Sequence, residues 1–362
     1  VFIDSVGMAS ATSANLNKNL VHTNDSLGND LLIQNSLFVN GYQALSLTGK
    51  PAHSTGWVIS KCKFTENAIA AVMITKAKSA LVEKSTFFLT NGLIRSYNGV
   101  AFNFSSGSCV VSKNKMDIGA TAAAHPIRFT RSDGDTANPH LIVNNFIHYN
   151  QLNQSHWGCA INMFNSTYVN VYHNSVSVTG TYTNTANFQI YDANVGGFPS
   201  GNINIKNNVF TNSIPGAKLF RLTPANYSYF TNDYNILYTY GVGKIIGSLT
   251  TMSQWRTTSG EAVHSDTLSP FYSSPTDLHV NTNQLNGTGT FIGILDDIDG
   301  DIRDTIVPDV GADEFVPSPY DPGVIEIVTP VTACGLDTNE SVTIKIKNYG
   351  GGDIHGNLTV GY

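Results

Sequence analysis

Charged side chains are scarce. Asp, Glu, Lys and Arg make up 13% of the 362 residues, about half the usual share. The balance of 20 Lys+Arg against 26 Asp+Glu leaves no basic excess, so a nucleic-acid partner is not expected. No apolar run reaches the ~18 residues of a membrane-spanning helix. No secretory leader is visible: Val1 opens directly into strand-like VFIDSV, which reads as a mature or partial chain. The four cysteines do not form a disulfide scaffold. Cys62 falls inside the repeat described below, and a Cys109–Cys159 bridge is left open. The histidines are scattered, and no pair has the HxxxH spacing of a helical metal site. Neither a metal nor another cofactor is expected.

What the chain does have is a repeat. An apolar residue, a small polar residue three positions on and an apolar residue two further recur at Ile33/Ser36/Phe38, Ile59/Cys62/Phe64, Val82/Ser85/Phe87, Val111/Asn114/Met116, Ile142/Asn145/Ile147, Val171/Asn174/Val176 and Ile205/Asn208/Phe210. The steps between first positions are 26, 23, 29, 31, 29 and 34 residues, the period of a solenoid. The copies are strand-like: Val, Ile, Thr, Phe and Tyr alternate with polar residues, and Gly, Asn and Ser lie between the runs. A second strand follows each bend, at Leu45–Leu47, Val72–Ile74, Ile94–Ser96, Ile127–Phe129, Ile161–Met163, Phe188–Ile190 and Phe220–Leu222. A single coil cannot bury its inward residues. Coils stacked ~4.8 Å apart align them into columns. At the bend, Asn114, Asn145, Asn174 and Asn208 predict a structural ladder of amides that satisfies the backbone groups freed by a sharp turn.

The order strand, asparagine bend, strand resembles the right-handed parallel β-helix proteins of the pectate-lyase-like superfamily, over about residues 15–300. The expected fold class is therefore all-β: a right-handed parallel β-helix solenoid with a C-terminal, partial β-sandwich. The resemblance also implies that the outer face of the remaining strand carries a polysaccharide groove. Residues 1–30 read as an incomplete first coil and 227–240 as a last, degenerate one. LTTMSQWRTTSG (249–260) suits a short helix stopped by Gly260. AVHSDTLSPFYSSPTDLHV and DDIDGDIRDTIVPDVGADEF resemble the closing segment of β-helix proteins of Bacteroidota and end the solenoid near Phe315. Residues 1–316 form one unit, PSPYDPG (317–323) reads as a Pro-rich linker, and 324–362 resembles the start of an adhesion-type immunoglobulin-like module. Its strands are expected at 324–328, 341–347 and 356–361. That stretch is too short for a whole sandwich of ~100 residues, so the natural chain is expected to continue past Tyr362.

Alternation fixes which residues of the second type of strand point outward. The first outward column is Ser46, Met73, Arg95, Arg128, Asn162, Gln189 and Arg221; the next is Thr48, Thr75, Tyr97, Thr130, Phe164, Tyr191 and Thr223. Sugar rings offer apolar faces for stacking and hydroxyls for hydrogen bonding. Planar guanidinium and amide groups supply paired donors, and Arg clamps carboxylates or sulfates. Arg95, Tyr97, Arg128, Asn162, Phe164, Gln189, Tyr191 and Arg221, with Trp157 from a neighbouring loop, are thus the candidate glycan-binding residues. The same pattern also describes an ordinary solvated sheet face. The loop at 128–140 adds Arg131, Asp133, Asp135 and His140, and the loop before Trp157 adds His156.

A lyase acting in the same groove would need a base, for which Arg128 and Arg131 are the catalytic candidates. Calcium-dependent relatives carry an acidic cluster on that face, whereas Asp133, Asp135 and Asp192 share no column here. The motifs of the glycoside hydrolase members are not found. DDIDGDIRD (296–304) alternates Asp around Gly as a calcium loop does, so bound calcium there is the alternative; its spacing departs from the EF-hand, and the resemblance makes it a structural turn. Asp-Ser/Thr-apolar triplets, such as Asp4-Ser5-Val6 and Asp304-Thr305-Ile306, resemble a Bacteroidota O-glycosylation signal.

The expectation is a secreted or bacterial cell-surface protein binding polysaccharide or another surface glycan. It would belong to a large adhesin or glycan-handling assembly, with outer-membrane secretion or anchoring machinery as a further partner. The alternatives are a polysaccharide lyase or glycoside hydrolase, and a passive spacer or secretion cargo.

Overall fold

Short β-branched and aromatic runs broken by Asn, Ser and Gly cannot sustain helices, and each is too short to be stable alone. In the computed structural model they associate as parallel strands. The structure describes all residues except 11–18, 24–26, 51–53, 93–95, 121, 153–156, 193–199, 224–229, 241–242, 331–338, 340, 351 and 360–362. Among the described residues, three parallel sheets of nine strands each wind into a β-solenoid. The first runs from Phe2–Asp4 to Phe230–Asp233, the second from Gly7–Ala9 to Ile236–Thr239, and the third from Val21–His22 to Lys244–Ile246. The seven copies of the repeat are seven consecutive rungs, with one further rung at each end. Both the early coil and the degenerate late coil are present.

The repeat columns are the core. Ile33, Ile59, Val82, Val111, Ile142, Val171 and Ile205 face one another rung by rung in the first sheet, and all are fully buried. In the second sheet Phe38, Phe64 and Phe87 stack with ring centroids 5.1 and 4.9 Å apart. Burying one such ring contributes roughly 1.5–3 kcal/mol.

The corner between the first two sheets is built from two residues per rung. The first takes the left-handed conformation without being glycine: Asn35, Lys61, Lys84, Lys113, Asn144, His173, Asn207 and Tyr234, with φ from 48° to 57°. The second is the ladder residue. The backbone N–H of Ser85 donates to Asn114 Oδ1 (3.0 Å), and that of Asn114 to Asn145 Oδ1 (3.0 Å). Asn145 N–H donates to Asn174 Oδ1 (3.1 Å), and Asn174 N–H to Asn208 Oδ1 (2.9 Å). The ladder extends one rung beyond the four expected asparagines, through Asn235 (2.8 Å) to Ser265 Oγ (3.0 Å).

One repeat copy is reassigned. The third-sheet strand of the fourth rung is Ser96–Asn103, and Val100 and Phe102, not Ile94 and Ser96, occupy the inward columns opposite Val72 and Ile74. Both tripeptides satisfy the apolar-x-apolar spacing, but Val100-Ala101-Phe102 offers two large apolar side chains to the core and Ile94-Arg95-Ser96 only one.

The helix Met252–Ser259 forms as expected, with a capping box at Thr251 and Gly260 at φ 71°. Its Trp255 stacks on Phe230 and Phe220, with centroids 6.2 and 6.4 Å away, and so covers the open end of the core. The chain then returns along the asparagine corner and fastens to its left-handed residues. Lys113 Nζ pairs with Asp296 at 2.6 Å. Asn144 donates to the Asp296 carbonyl and accepts from Arg303 Nη2. Asn207 bonds the backbone of Thr290 in both directions. In the DDIDGDIRD turn, Asp297 Oδ1 accepts the N–H groups of residues 299, 300 and 301. Past Phe315, Pro322–Thr329 and Thr343–Asn348 form a two-stranded antiparallel sheet. The third strand expected at 356–361 is absent through residue 359, the last one described.

Candidate functional site

The outer face of the third sheet turns polar where the long loops arrive. Pairing registers give one outward column of Ser46, Met73, Ala101, Arg128, Asn162, Gln189 and Arg221. Phe164 and Tyr191 are neighbours in the next column, and their rings stack at 5.2 Å with an interplanar angle of 17°. Six of the expected residues are therefore brought together. Tyr97 is not one of them. The reassigned strand turns it inward, where it is 1% exposed and burial pushes its phenol pKa up. Arg95 and His156 lie outside the described residues. Ala101 takes the position expected for Arg95. Weighing the two competing apolar-x-apolar matches by the volume each buries would have identified it.

Arg128 and Arg221 begin three rungs apart and converge. The Arg128 guanidinium lies over the Phe164 ring, one rung on, at 5.7 Å. Arg221 reaches back across two rungs. Its guanidinium lies 5.7 Å from the centroid of the half-exposed Trp157 ring. Its Nη1 donates to Gln189 Oε1 at 3.1 Å, and its Nη2 donates to the Asn184 carbonyl. Both cations thus lean toward the rung of Asn162, Arg221 crossing that of Gln189 on the way. Burial lowers both guanidinium pKa values, though an arginine remains cationic. Among the described residues, no carboxylate lies within ion-pair distance of either one. Arg128 Nε and Asn162 Oδ1 are buried without a hydrogen-bond partner among the described residues.

The nearby acids are already engaged. Asp133 accepts from Thr167 Oγ1 at 2.9 Å. Asp135 closes its own turn through the N–H groups of Ala137 and Asn138. Asp192 is buried and accepts from Asn165. Arg131 does not join Arg128: it follows the strand at φ 47° and lies over Phe104 at 5.6 Å. His140 is a core residue that accepts the Cys109 N–H. Beneath the arginines, His125 Nδ1 is 3.4 Å from both Cys159 Sγ and Asn162 Nδ2. Burial pushes the Cys159 thiol up to about 12 and the His125 imidazole down to about 3, so the floor is neutral and the thiol inert. Cys62, Cys109 and Cys159 are all free and buried, so the 109–159 bridge is not formed.

Neither a protein-family model, nor a curated protein, nor a solved structure matches this chain. The chemistry of the site therefore rests on its own geometry. Two largely buried cations with no counter-charge among the described residues attract anions strongly, and flat aromatic and amide surfaces beside them suit a ring with one apolar face and several hydroxyls.

Proposed function

We propose that the outer face of the third sheet binds a polysaccharide or other surface glycan bearing carboxylate or sulfate groups. The observation that carries the reading is that Arg128 and Arg221 both lean toward the rung of Asn162 with no carboxylate in ion-pair distance among the described residues. In a chain with 26 acidic residues against 20 basic ones, no carboxylate among the described residues is placed within ion-pair distance of either guanidinium group. The Phe164–Tyr191 stack and Trp157 supply the sugar-facing surfaces. The reading includes a place outside the cell, in an adhesin or glycan-handling assembly. It is supported by the resemblance of the solenoid to right-handed parallel β-helix proteins and of residues 296–315 to a Bacteroidota closing segment.

Size-exclusion chromatography of the protein with neutral and acidic polysaccharides tests it. The protein is expected to co-elute with an intact acidic glycan. Arg128→Ala and Trp157→Ala should each weaken that binding about tenfold, as loss of a charged hydrogen bond or a stacking surface does, with little change in melting. Shortened glycan would move the site to catalysis. Intact glycan that never co-elutes would leave a spacer as the better reading.

A further inference from the structure

A second group of reactive side chains lies on a different sheet. Asp117, His148 and Thr179 belong to Lys115–Ala120, Phe146–Gln151 and Ser175–Gly180, three consecutive rungs of the second sheet. Asp117 and His148 are in register, as are Asn150 and Thr179. Asp117 Oδ1 is 2.7 Å from His148 Nδ1, and His148 Nε2 is 3.0 Å from Thr179 Oγ1. A carboxylate only accepts, so it fixes the proton of a neutral imidazole on Nδ1. The Nε2 lone pair then accepts the Thr179 hydroxyl proton. Ser177 is directly in register with His148, yet the imidazole bonds to Thr179 instead. This is the order orienting acid, general base, hydroxyl.

The hydroxyl end of the row reaches the surface. His148 is buried, while Thr179 is partly exposed. Asn150 adjoins Thr179 in the same column, and its side-chain amide makes no hydrogen bond among the described residues. Gly119 stands opposite Asn150 one rung back, with the Thr90 carbonyl packed where a side chain would project. On the other side, an open cleft lined by Phe88, Lys115, Met116 and Thr276 begins at Asp117.

We propose that Thr179 is an acyl-accepting nucleophile and that this trio hydrolyses small acyl esters. The inference is independent of the glycan site. Thr179 Oγ attacks the ester carbonyl carbon as its proton passes to His148 Nε2, while Asn150 Nδ2 donates to the carbonyl oxygen. The C–O bond to the alcohol breaks, and the leaving oxygen takes the proton back from His148. The acyl group is now esterified to Thr179. Water then attacks, giving a proton to His148. The carboxylic acid departs, and Thr179 regains its proton. Asp117 is a positioning residue that holds the tautomer.

The full chain with p-nitrophenyl acetate gives the test. Wild type should release p-nitrophenolate above the buffer rate and carry an acetyl mass on the peptide containing Thr179 after acid quench. Thr179→Val and His148→Gln should each lower the rate about 100-fold or more, the range of a lost general base. Thr179→Ser should retain activity, so this pair decides the matter even where His148→Gln fails to fold. Asp117→Asn should lower kcat with little change in KM, because the amide no longer holds the imidazole in the tautomer that leaves Nε2 free to accept. Release from wild type no faster than from Thr179→Val, or acetylation confined to other peptides, overturns the proposal.

Discussion

Each corner of the solenoid asks a residue with a Cβ to adopt φ near 50°, a conformation that costs roughly 1–2 kcal/mol outside glycine. Asparagine visits it readily, but Lys61, Lys84, Lys113, His173 and Tyr234 do not. The ladder residue beside each one offsets the strain. The Asn174 side chain makes five hydrogen-bond contacts: Oδ1 accepts from the Asn145 N–H and Nδ2, and Nδ2 shares its two hydrogens among Ile142 O, Tyr172 O and Asn208 Oδ1. Asn174→Leu is therefore expected to destabilise the protein by at least about 1–3 kcal/mol, the range for buried groups left unpaired. An unchanged denaturant midpoint would show that the amides are decorative. Sequence made this part of the molecule legible, since identical spacing in four successive copies leaves a side chain few other roles. It hid Asn235, because the last rung lacks the Val/Ile–x–x–Asn–x–Phe frame and presents Asn232 at the inward position.

Strands respond to pH through the histidines they bury. His125, on Ala123–Thr130, and His140, on His140–Val143, are both held neutral by desolvation, with pKa values lowered to about 3 and about 4. An unfolded histidine protonates near pH 6.5. The native state thus holds its full margin above pH 6.5 and loses it as pH falls toward those values. For His140, the difference between 6.5 and about 4 corresponds to a loss on the order of 3 kcal/mol when complete. Denaturant midpoints should fall between pH 7 and pH 5, ahead of most carboxylate titration. His140→Leu should shrink that fall even if it lowers stability throughout, and an undiminished fall would remove His140 from the account. At this scale the sequence was informative about strand type and less so about strand choice. Period-two alternation marked the third sheet, but 94–96 and 100–102 both fit the frame, and only packing against Val72 and Ile74 decides between them. The candidate site shared that fate: its arginines, amides and stacked rings were readable from register, and Tyr97 was not.

The whole molecule is fastened by its closing segment. Arg303 is fully buried and joins Glu314 at 3.0 Å, the carbonyls of Asp309 and Gly311, and Asn144 Oδ1 159 positions away in sequence. Removing one member of a buried pair costs about 3–5 kcal/mol. Arg303→Met should accordingly raise amide hydrogen exchange across residues 287–315 by two or more orders of magnitude, while the rungs around Phe38, Phe64 and Phe87 exchange as before. Uniform protection in the variant would mean that the segment is held by its apolar contacts with Phe146 and Val209.

The ladder advances by one side chain per rung, although 23 to 34 residues separate its members. Position along the axis is therefore a matter of counting rungs, with graduations ~4.8 Å apart, and the length of chain between corners drops out. A loop can be lengthened, shortened or exchanged without displacing anything above or below it. The arginine cluster and the Asp117–His148–Thr179 row, mounted on two scales of the same ruler, can each be redesigned while the other keeps its alignment.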